Sequence, residues 1–163
     1  MKYIKKINEM YIRYIKDSIG NNYLGLKIQN DVVIPYLERL KEITMEEYDN
    51  LVLNQQIRDN EEYHITIINV AEYNKLLKDM GSNFVNSLHH IFNYEIDDLE
   101  LLGIGSATRN NNIAYFIVCN SEKLDAIRTR YNLPKHDFHI TIGFNPRDVF
   151  GHVGIKSEVK WKI

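Results

Sequence analysis

The chain has little of what disulfide-bonded, multidomain or membrane-spanning proteins depend on. Its 163 residues include a single cysteine, which excludes an internal disulfide, and no Pro-, Gly- or Ser-rich linker. No apolar run reaches the length of a transmembrane helix, and the first residues lack the apolar stretch of a secretory signal. A net charge of −2 supplies no broad basic surface for long nucleic acid. We therefore expect a cytoplasmic monomer that binds neither membranes nor long duplexes.

The tetrapeptide His-Ile-Thr-Ile occurs twice, at 64–67 and at 139–142. With six histidines and five threonines, composition alone gives roughly 0.2 His-x-Thr triplets in a chain of this length. Two copies with the same flanking isoleucines are therefore unexpected by chance. Both copies lie in apolar, β-prone runs, and in a strand the side chains at i and i+2 share a face. Each copy thus predicts a histidine and a threonine on one face of a strand, with the isoleucines turned into the core.

The remaining pattern alternates between helical and strand periods. Apolar spacing predicts helices over about 3–19, 32–43, 71–80, 82–92 and 122–131. Period-two or continuous apolar runs predict strands over 23–28, 63–70, 99–104, 113–118 and 138–144, and the tail 159–163 reads as an edge strand. Residues 48–58 are ambiguous, and a short strand leading into a loop at 58–60 is the preferred interpretation. The order of elements suggests a weak internal duplication, with one motif in each half of the chain.

If the two motif strands meet, their site contains two imidazoles and two hydroxyls. A neutral histidine can take a proton from water and a protonated one can give a proton to a leaving oxygen, because the unperturbed pKa is about 6.5. The threonine hydroxyls can donate to non-bridging phosphate oxygens. Gly143, two residues after Thr141, would let a phosphate approach the strand closely. Such a set suits the hydrolysis of a phosphodiester and needs no metal, covalent nucleophile or cofactor.

Paired His-x-Thr motifs about 75 residues apart, the second reading His-Ile-Thr-Ile-Gly-Phe, resemble the two-histidine (2H) phosphoesterase superfamily. The resemblance reaches from about Tyr23 to Phe144. It implies an α+β, bilobal fold in which two antiparallel sheets face a central cleft, with helices outside. It also implies catalytic roles for four residues, which are His64, Thr66, His139 and Thr141. Members of this superfamily open 2′,3′-cyclic phosphates or cleave 2′-5′ oligoadenylates and cyclic oligonucleotides.

The segments 55–58 and 150–156 further resemble a subgroup described as Swiss-army-knife RNA-repair-like 2H proteins. Within them, Arg58, Lys156 and Gln56 are candidate substrate-binding residues, although solvated charges are the commoner role for Lys and Arg. His136 lies three residues before His139, but on a strand that spacing gives opposite faces, and no set of zinc ligands accompanies it. Cys119 lies in an apolar run, which favours a buried small hydrophobe over a nucleophile.

These observations together predict one bilobal domain over 1–163, with an N-terminal helix over 1–20 and two lobes over about 21–95 and 96–163. The predicted function is a metal-independent phosphodiesterase that hydrolyses a 2′,3′-cyclic phosphate on an RNA end or nucleotide. The alternatives are an enzyme that degrades 2′-5′ oligoadenylate or cyclic oligonucleotide signals, and a module that binds a nucleotide or RNA end without turnover. The expected partner is the substrate alone.

Overall fold

One antiparallel sheet of seven strands organises the molecule, which is known from a computed structural model that describes residues 2–3, 10–150 and 158–163. The strands lie in the order β1-β5-β6-β7-β4-β3-β2. Their bounds are Lys2–Tyr3 (β1), Ile12–Lys16 (β2), Asn22–Ile28 (β3), Tyr63–Ile68 (β4), Glu100–Arg109 (β5), Asn112–Asn120 (β6) and His139–Asn145 (β7). The helices are Asn30–Thr44 (α1), Tyr48–Arg58 (α2), Val70–Met80 (α3), Ser82–Ile91 (α4) and Glu122–Arg130 (α5).

The main core lies between the sheet and the helices. Ile65 of β4 and Ile140 of β7 are fully buried in it, together with Leu51 of α2 and Leu88 of α4. Burying an aliphatic side chain of this size contributes about 1.5–3 kcal/mol, so the isoleucines of both motifs anchor their strands against the helices. The mixed α+β class expected from the sequence is confirmed. None of the helices in the described part of the chain combines the length and apolar character that crossing a membrane requires.

Several helix ends and turns depend on residues that favour those positions. Ser121 begins α5 as its N-cap and accepts a hydrogen bond from the Leu124 amide at 3.1 Å. Asn110 and Asn111 form the β5–β6 turn with φ values of 50° and 67°, a conformation that asparagine tolerates better than most residues. Helices α3 and α4 meet at Gly81, as predicted.

The predicted N-terminal helix over 3–19 is wrong, because residues 12–16 form strand β2 along the edge of the sheet. Ile12 is buried, and β2 pairs with β3 through Ile12 opposite Leu26 and Lys16 opposite Asn22. The Asp17 carboxylate accepts the amides of Ile19 and Asn21 at 3.0 and 2.8 Å, which closes a hairpin turn. The part of the predicted helix at 4–9 lies outside the described residues.

The interpretation of 48–58 as a strand and loop is also wrong, since these residues form α2. Leu51, Val52 and Gln55 are its buried face, at helical spacing, and it packs against β7. This packing also corrects the role of Gly143. A Cβ on Gly143 would lie 3.0 Å from the Leu51 Cβ, so the missing side chain lets a helix approach the strand and not a phosphate.

The described strands form one continuous sheet and not the two facing sheets that were expected. The two motif strands are neighbours within it, because β4 and β7 pair directly. The predicted tail strand is reduced to a single bridge between Trp161 and Ile104. The division of the chain into two lobes stays a prediction.

Candidate functional site

The two motif strands lie side by side at the centre of the sheet. β4 and β7 run antiparallel with Ile65 opposite Ile140. Continuing this register by one residue in each direction puts His64 opposite Thr141 and Thr66 opposite His139. Directly opposite side chains share a face of the sheet, so each histidine has the other motif's threonine beside it. The two motifs are thus related by a local twofold axis through the isoleucine pair.

The four motif side chains line one pocket on the sheet face away from the isoleucine core. The pocket has a volume of about 1090 Å³. Its walls come from β2 and the turn after it, from the turn between α2 and β4, and from the segments before and after β7. Residues 13–18, 58–60, 135–137 and 148–150 supply these walls. A concave site with a few convergent polar groups is the usual form of a small-molecule site.

His64 is partly buried in this pocket and is held by Tyr23. The Tyr23 hydroxyl lies 3.1 Å from His64 Nε2, and the two rings meet edge to face with centroids 5.8 Å apart. Burial lowers the pKa of His64 below its usual 6.5, and the nearby Asp59 carboxylate opposes this effect. Burial raises the pKa of Tyr23 to about 12, so its hydroxyl stays protonated. His64 is therefore predominantly neutral at pH 7 and suited to accept a proton.

His139 is oriented by a backbone contact. Its Nδ1 lies 3.1 Å from the Asp137 carbonyl oxygen, and since a carbonyl only accepts, Nδ1 carries the hydrogen. Proton exchange with a substrate then goes through Nε2. The ring lies edge-on to Phe116, with centroids 5.4 Å apart, and 6.3 Å from the ring of His136. His136 precedes the strand instead of lying in it, so the expectation that it faces away from His139 is wrong and both line the pocket.

Arg58 lines the pocket, but its guanidinium is engaged by two carboxylates. Nε and Nη2 donate to Asp59 at 2.9 and 2.8 Å, and Nη1 donates to Asp148. Its carbon Cζ lies 4.7 Å from the centre of the Phe144 ring. The carboxylates raise the pKa of Arg58 despite the opposing effect of burial. Arg58 therefore ties the end of α2 to the segment after β7.

The two other candidate binding residues are placed differently. Gln56 is not among the residues that line the pocket. Lys156 lies outside the described residues. The position of Gln56 does not support the substrate contact that the sequence suggested, and the contact by Lys156 stays a prediction.

A buried ion pair fixes the ends of both motif strands. Arg128 of α5 donates to the carboxylate of Glu72 in α3 at 2.7 and 2.9 Å. The same guanidinium donates to the carbonyl of Ile67, in β4, and to the carbonyl of Pro134, on the segment leading to β7, each at 2.8 Å. Burial raises the pKa of Glu72, but hydrogen bonds from Arg128 and the Asn69 amide outweigh it, and the net pKa lies below the usual value. We call Arg128 and Glu72 the strand clamp.

The described residues contain no group of three or more His, Cys, Asp or Glu side chains placed to hold a metal ion. Cys119 is fully buried, as expected, and burial raises the pKa of its thiol. It is therefore inert as a nucleophile under ordinary conditions.

The sequence analysis missed Tyr23 and Asp148 as parts of the site. The buried leucines of β3 alternate with Tyr23, Gly25 and Lys27. The alternation of side chains along a strand could therefore have placed Tyr23 on the polar face of β3 from the sequence alone. The pairing of β3 with β4, which brings that face beside His64, is a long-range contact with no local signal. The same holds for Asp148, which meets Arg58 across 90 residues.

A family model described as Swiss Army Knife, 2H phosphoesterase domain, matches residues 22–150. The match includes both motif strands and the five helices, and it begins after β2. No match was found among curated proteins or among solved structures.

Proposed function

The chain belongs to the 2H phosphoesterase family of the Swiss Army Knife type, whose chemistry is phosphodiester hydrolysis, and from that premise we propose a specific reaction. The protein hydrolyses a 2′,3′-cyclic phosphate on an RNA end or nucleotide by general acid–base catalysis, without a metal. The observation that carries this proposal is the register of β4 and β7, which puts a histidine and a threonine from each motif on one face of one pocket.

The two histidines divide the proton transfers. His64, whose pKa is lowered by burial, is the base that takes a proton from the attacking water. The water oxygen then bonds to phosphorus, and the bond from phosphorus to the 3′ oxygen breaks. His139 gives its Nε2 proton to that leaving oxygen, and the Nδ1–H bond to the Asp137 carbonyl stabilises the charged ring before transfer. The product is a 2′-phosphate.

The threonines stabilise charge on the phosphate. Thr66 lies beside His139, and Thr141 lies beside His64. Their hydroxyls therefore flank a phosphate that is bound between the two histidine rings. Donors placed where negative charge develops in the transition state are typically worth about 10²–10³ in rate each. The same arrangement serves a 2′-5′ linkage, so that substrate is the second candidate. A binding module without turnover is disfavoured, because binding alone needs no pair of proton-transfer groups.

Turnover of a defined panel tests the reaction. The panel contains adenosine 2′,3′-cyclic phosphate, a 2′-5′-linked diadenylate and a cyclic dinucleotide, and the products are read by phosphorus NMR. We expect the first compound to be opened to a 2′-phosphate, and His64→Ala and His139→Ala each to lose about 10²–10⁴-fold in rate. His89→Ala is the matched control, since His89 is exposed on α4, outside the pocket.

Three results would contradict the proposal in different ways. Equal activity in the two motif variants and in the His89 control would remove the two-histidine mechanism. Activity that disappears in EDTA and returns with a divalent cation would remove metal independence. Turnover of the 2′-5′ compound alone would keep the mechanism and replace the substrate.

A further inference from the structure

We propose that the pocket holds a second phosphate of the substrate, attached to the 5′ oxygen of the nucleoside that carries the reacting phosphate, and that Arg13 binds it. The substrate is then a nucleotide that carries a 5′-phosphate group or 5′-phosphodiester in addition to its cyclic phosphate. This inference rests on the proposed function for the position of the reacting phosphate.

The wall that carries Arg13 lies outside the residues that match the family model. The family match begins at residue 22, whereas residues 13–18 of β2 and its turn line the pocket. β2 reaches the pocket because it extends the sheet beyond β3, with Arg13 opposite Gly25. One side of the pocket is therefore built from a segment that precedes the matched residues.

The sheet register places Arg13 in line with the catalytic groups. Arg13 is opposite Gly25, Gly25 is opposite Thr66, and Thr66 is opposite His139 in the continued register. Neighbouring strands lie about 4.8 Å apart, so the backbone of β2 is about 10 Å from that of β4. An arginine side chain extended along this row reaches the neighbouring phosphate of a nucleotide whose cyclic phosphate lies between the histidines.

The floor between Arg13 and the centre is formed by an isoleucine side chain that packs over a glycine. Gly25 has no side chain, and a Cβ there would lie 2.3 Å from the Cδ1 of Ile15 and 2.8 Å from the carbonyl oxygen of Ile65. The tip of Ile15 therefore covers this position. A nucleoside can lie across an apolar floor of this kind with a phosphate at each end.

Charge distinguishes Arg13 from the other basic groups at the centre. Arg58 is engaged by Asp59 and Asp148, and Lys27 is paired with Glu62 at 3.1 Å. Arg13 forms no ion pair with any residue in the described part of the chain. Lys16 and Lys135 also line the pocket and form no ion pair within the described part of the chain. Of these three basic groups, only the planar guanidinium of Arg13 matches two phosphate oxygens at once.

Three substrates distinguish the effect of a second phosphate on kcat/KM from the effect of a second nucleoside. They are adenosine 2′,3′-cyclic phosphate, the same compound with a 5′-phosphate, and diadenylate with a terminal 2′,3′-cyclic phosphate. In wild type we expect the 5′-phosphate to raise kcat/KM about tenfold, chiefly through KM, and Arg13→Gln to remove most of that preference. Arg130→Gln is the matched control, because Arg130 is exposed at the end of α5, outside the pocket.

The three substrates also identify the source of the phosphate. A preference for both phosphorylated compounds that Arg13→Gln abolishes supports the inference. A preference confined to the diadenylate and kept by Arg13→Gln would overturn it, since the second nucleoside and not the phosphate would then be bound. Equal kcat/KM for all three compounds in wild type would overturn it as well.

A binding measurement separates this inference from the proposed reaction. Calorimetry compares adenosine 3′,5′-bisphosphate with adenosine 3′-phosphate on wild type, Arg13→Gln and Arg130→Gln. Tighter binding of the bisphosphate that is lost only in Arg13→Gln supports the second phosphate site even if none of the cyclic phosphates is hydrolysed, in which case the proposed function alone fails. No preference for the bisphosphate in wild type overturns the site whatever the turnover.

Discussion

Removing Arg128 is the sharpest test of how the fold supports the site. The side chain is 3% exposed, and its guanidinium makes four hydrogen bonds, two to Glu72 and one each to the carbonyls of Ile67 and Pro134. Arg128→Met keeps much of the volume but leaves a partly buried carboxylate without its partner. Breaking a buried pair in this way costs about 3–5 kcal/mol, and because the Glu72 side chain is 19% exposed we expect the lower end, about 3 kcal/mol.

The assay is urea unfolding followed by far-UV circular dichroism, with Arg130→Met as the exposed control on the same helix. A double variant, Arg128→Met with Glu72→Met, should recover part of the loss, because it removes the orphaned carboxylate. A free energy of unfolding for Arg128→Met within about 0.5 kcal/mol of wild type, the range of ordinary surface changes, would refute the reasoning.

The strand clamp also predicts a pH dependence. The folded-state pKa of Glu72 is lower than its usual 4.5, so the clamp's contribution is present above that value and is lost as the pH falls through the folded pKa. Wild type should therefore lose stability below about pH 4.5, the unfolded value, more steeply than Arg128→Met does. Equal acid sensitivity in the two proteins would show that the clamp does not stabilise the ionised carboxylate.

The remaining predictions concern the pocket. The rate of hydrolysis should have a bell-shaped dependence on pH, and its acid limb should lie below 6.5 because burial lowers the pKa of His64. His64→Ala should lose that limb. A rate that does not change with pH would contradict two-histidine catalysis. Tyr23→Phe should lower kcat about tenfold, since His64 loses the hydrogen bond that holds its ring, with circular dichroism showing an unchanged fold. Thr66→Val and Thr141→Val should each lower kcat about 10- to 1000-fold, less than loss of a histidine, as measured under saturating substrate. Gly25→Ala should lower the free energy of unfolding in urea by about 1–3 kcal/mol, because the new Cβ would lie 2.8 Å from the Ile65 carbonyl oxygen. Ser18→Ala, on the exposed turn, is the control. Equal stability of the two variants would contradict this close contact.

The spacing of apolar residues predicted most helices and strands correctly. It failed for two segments in which tertiary packing determined whether a helix or a strand forms. The segment 3–19 has apolar residues at helical spacing, yet residues 12–16 within it form a strand. They do so because the edge of β3 offers unpaired backbone groups and the turn at Asp17 brings the two segments together. The segment 48–58 is a helix because its apolar face finds β7. In short segments the apolar pattern is compatible with both a helix and a strand, so tertiary contacts determine which one forms.

The sequence by itself determined how the side chains of each motif are arranged on their strand. Strand alternation puts His64 with Thr66, and His139 with Thr141, on one face, and the flanking isoleucines on the other, whatever the rest of the chain does. It also determined the helix cap at Ser121 and the turn at Asn110 and Asn111, because each depends on residues only a few positions apart. Such features follow from the short-range geometry of the backbone.

Only the tertiary structure decided how the motifs meet and what surrounds them. The register that sets each histidine opposite the other motif's threonine joins residues 75 apart in the chain. The Tyr23 contact to His64, the engagement of Arg58 by Asp148 and the wall formed by β2 are likewise long-range. Each depends on which strands pair and in what register, and that is fixed by burial of the whole core and not by any local pattern.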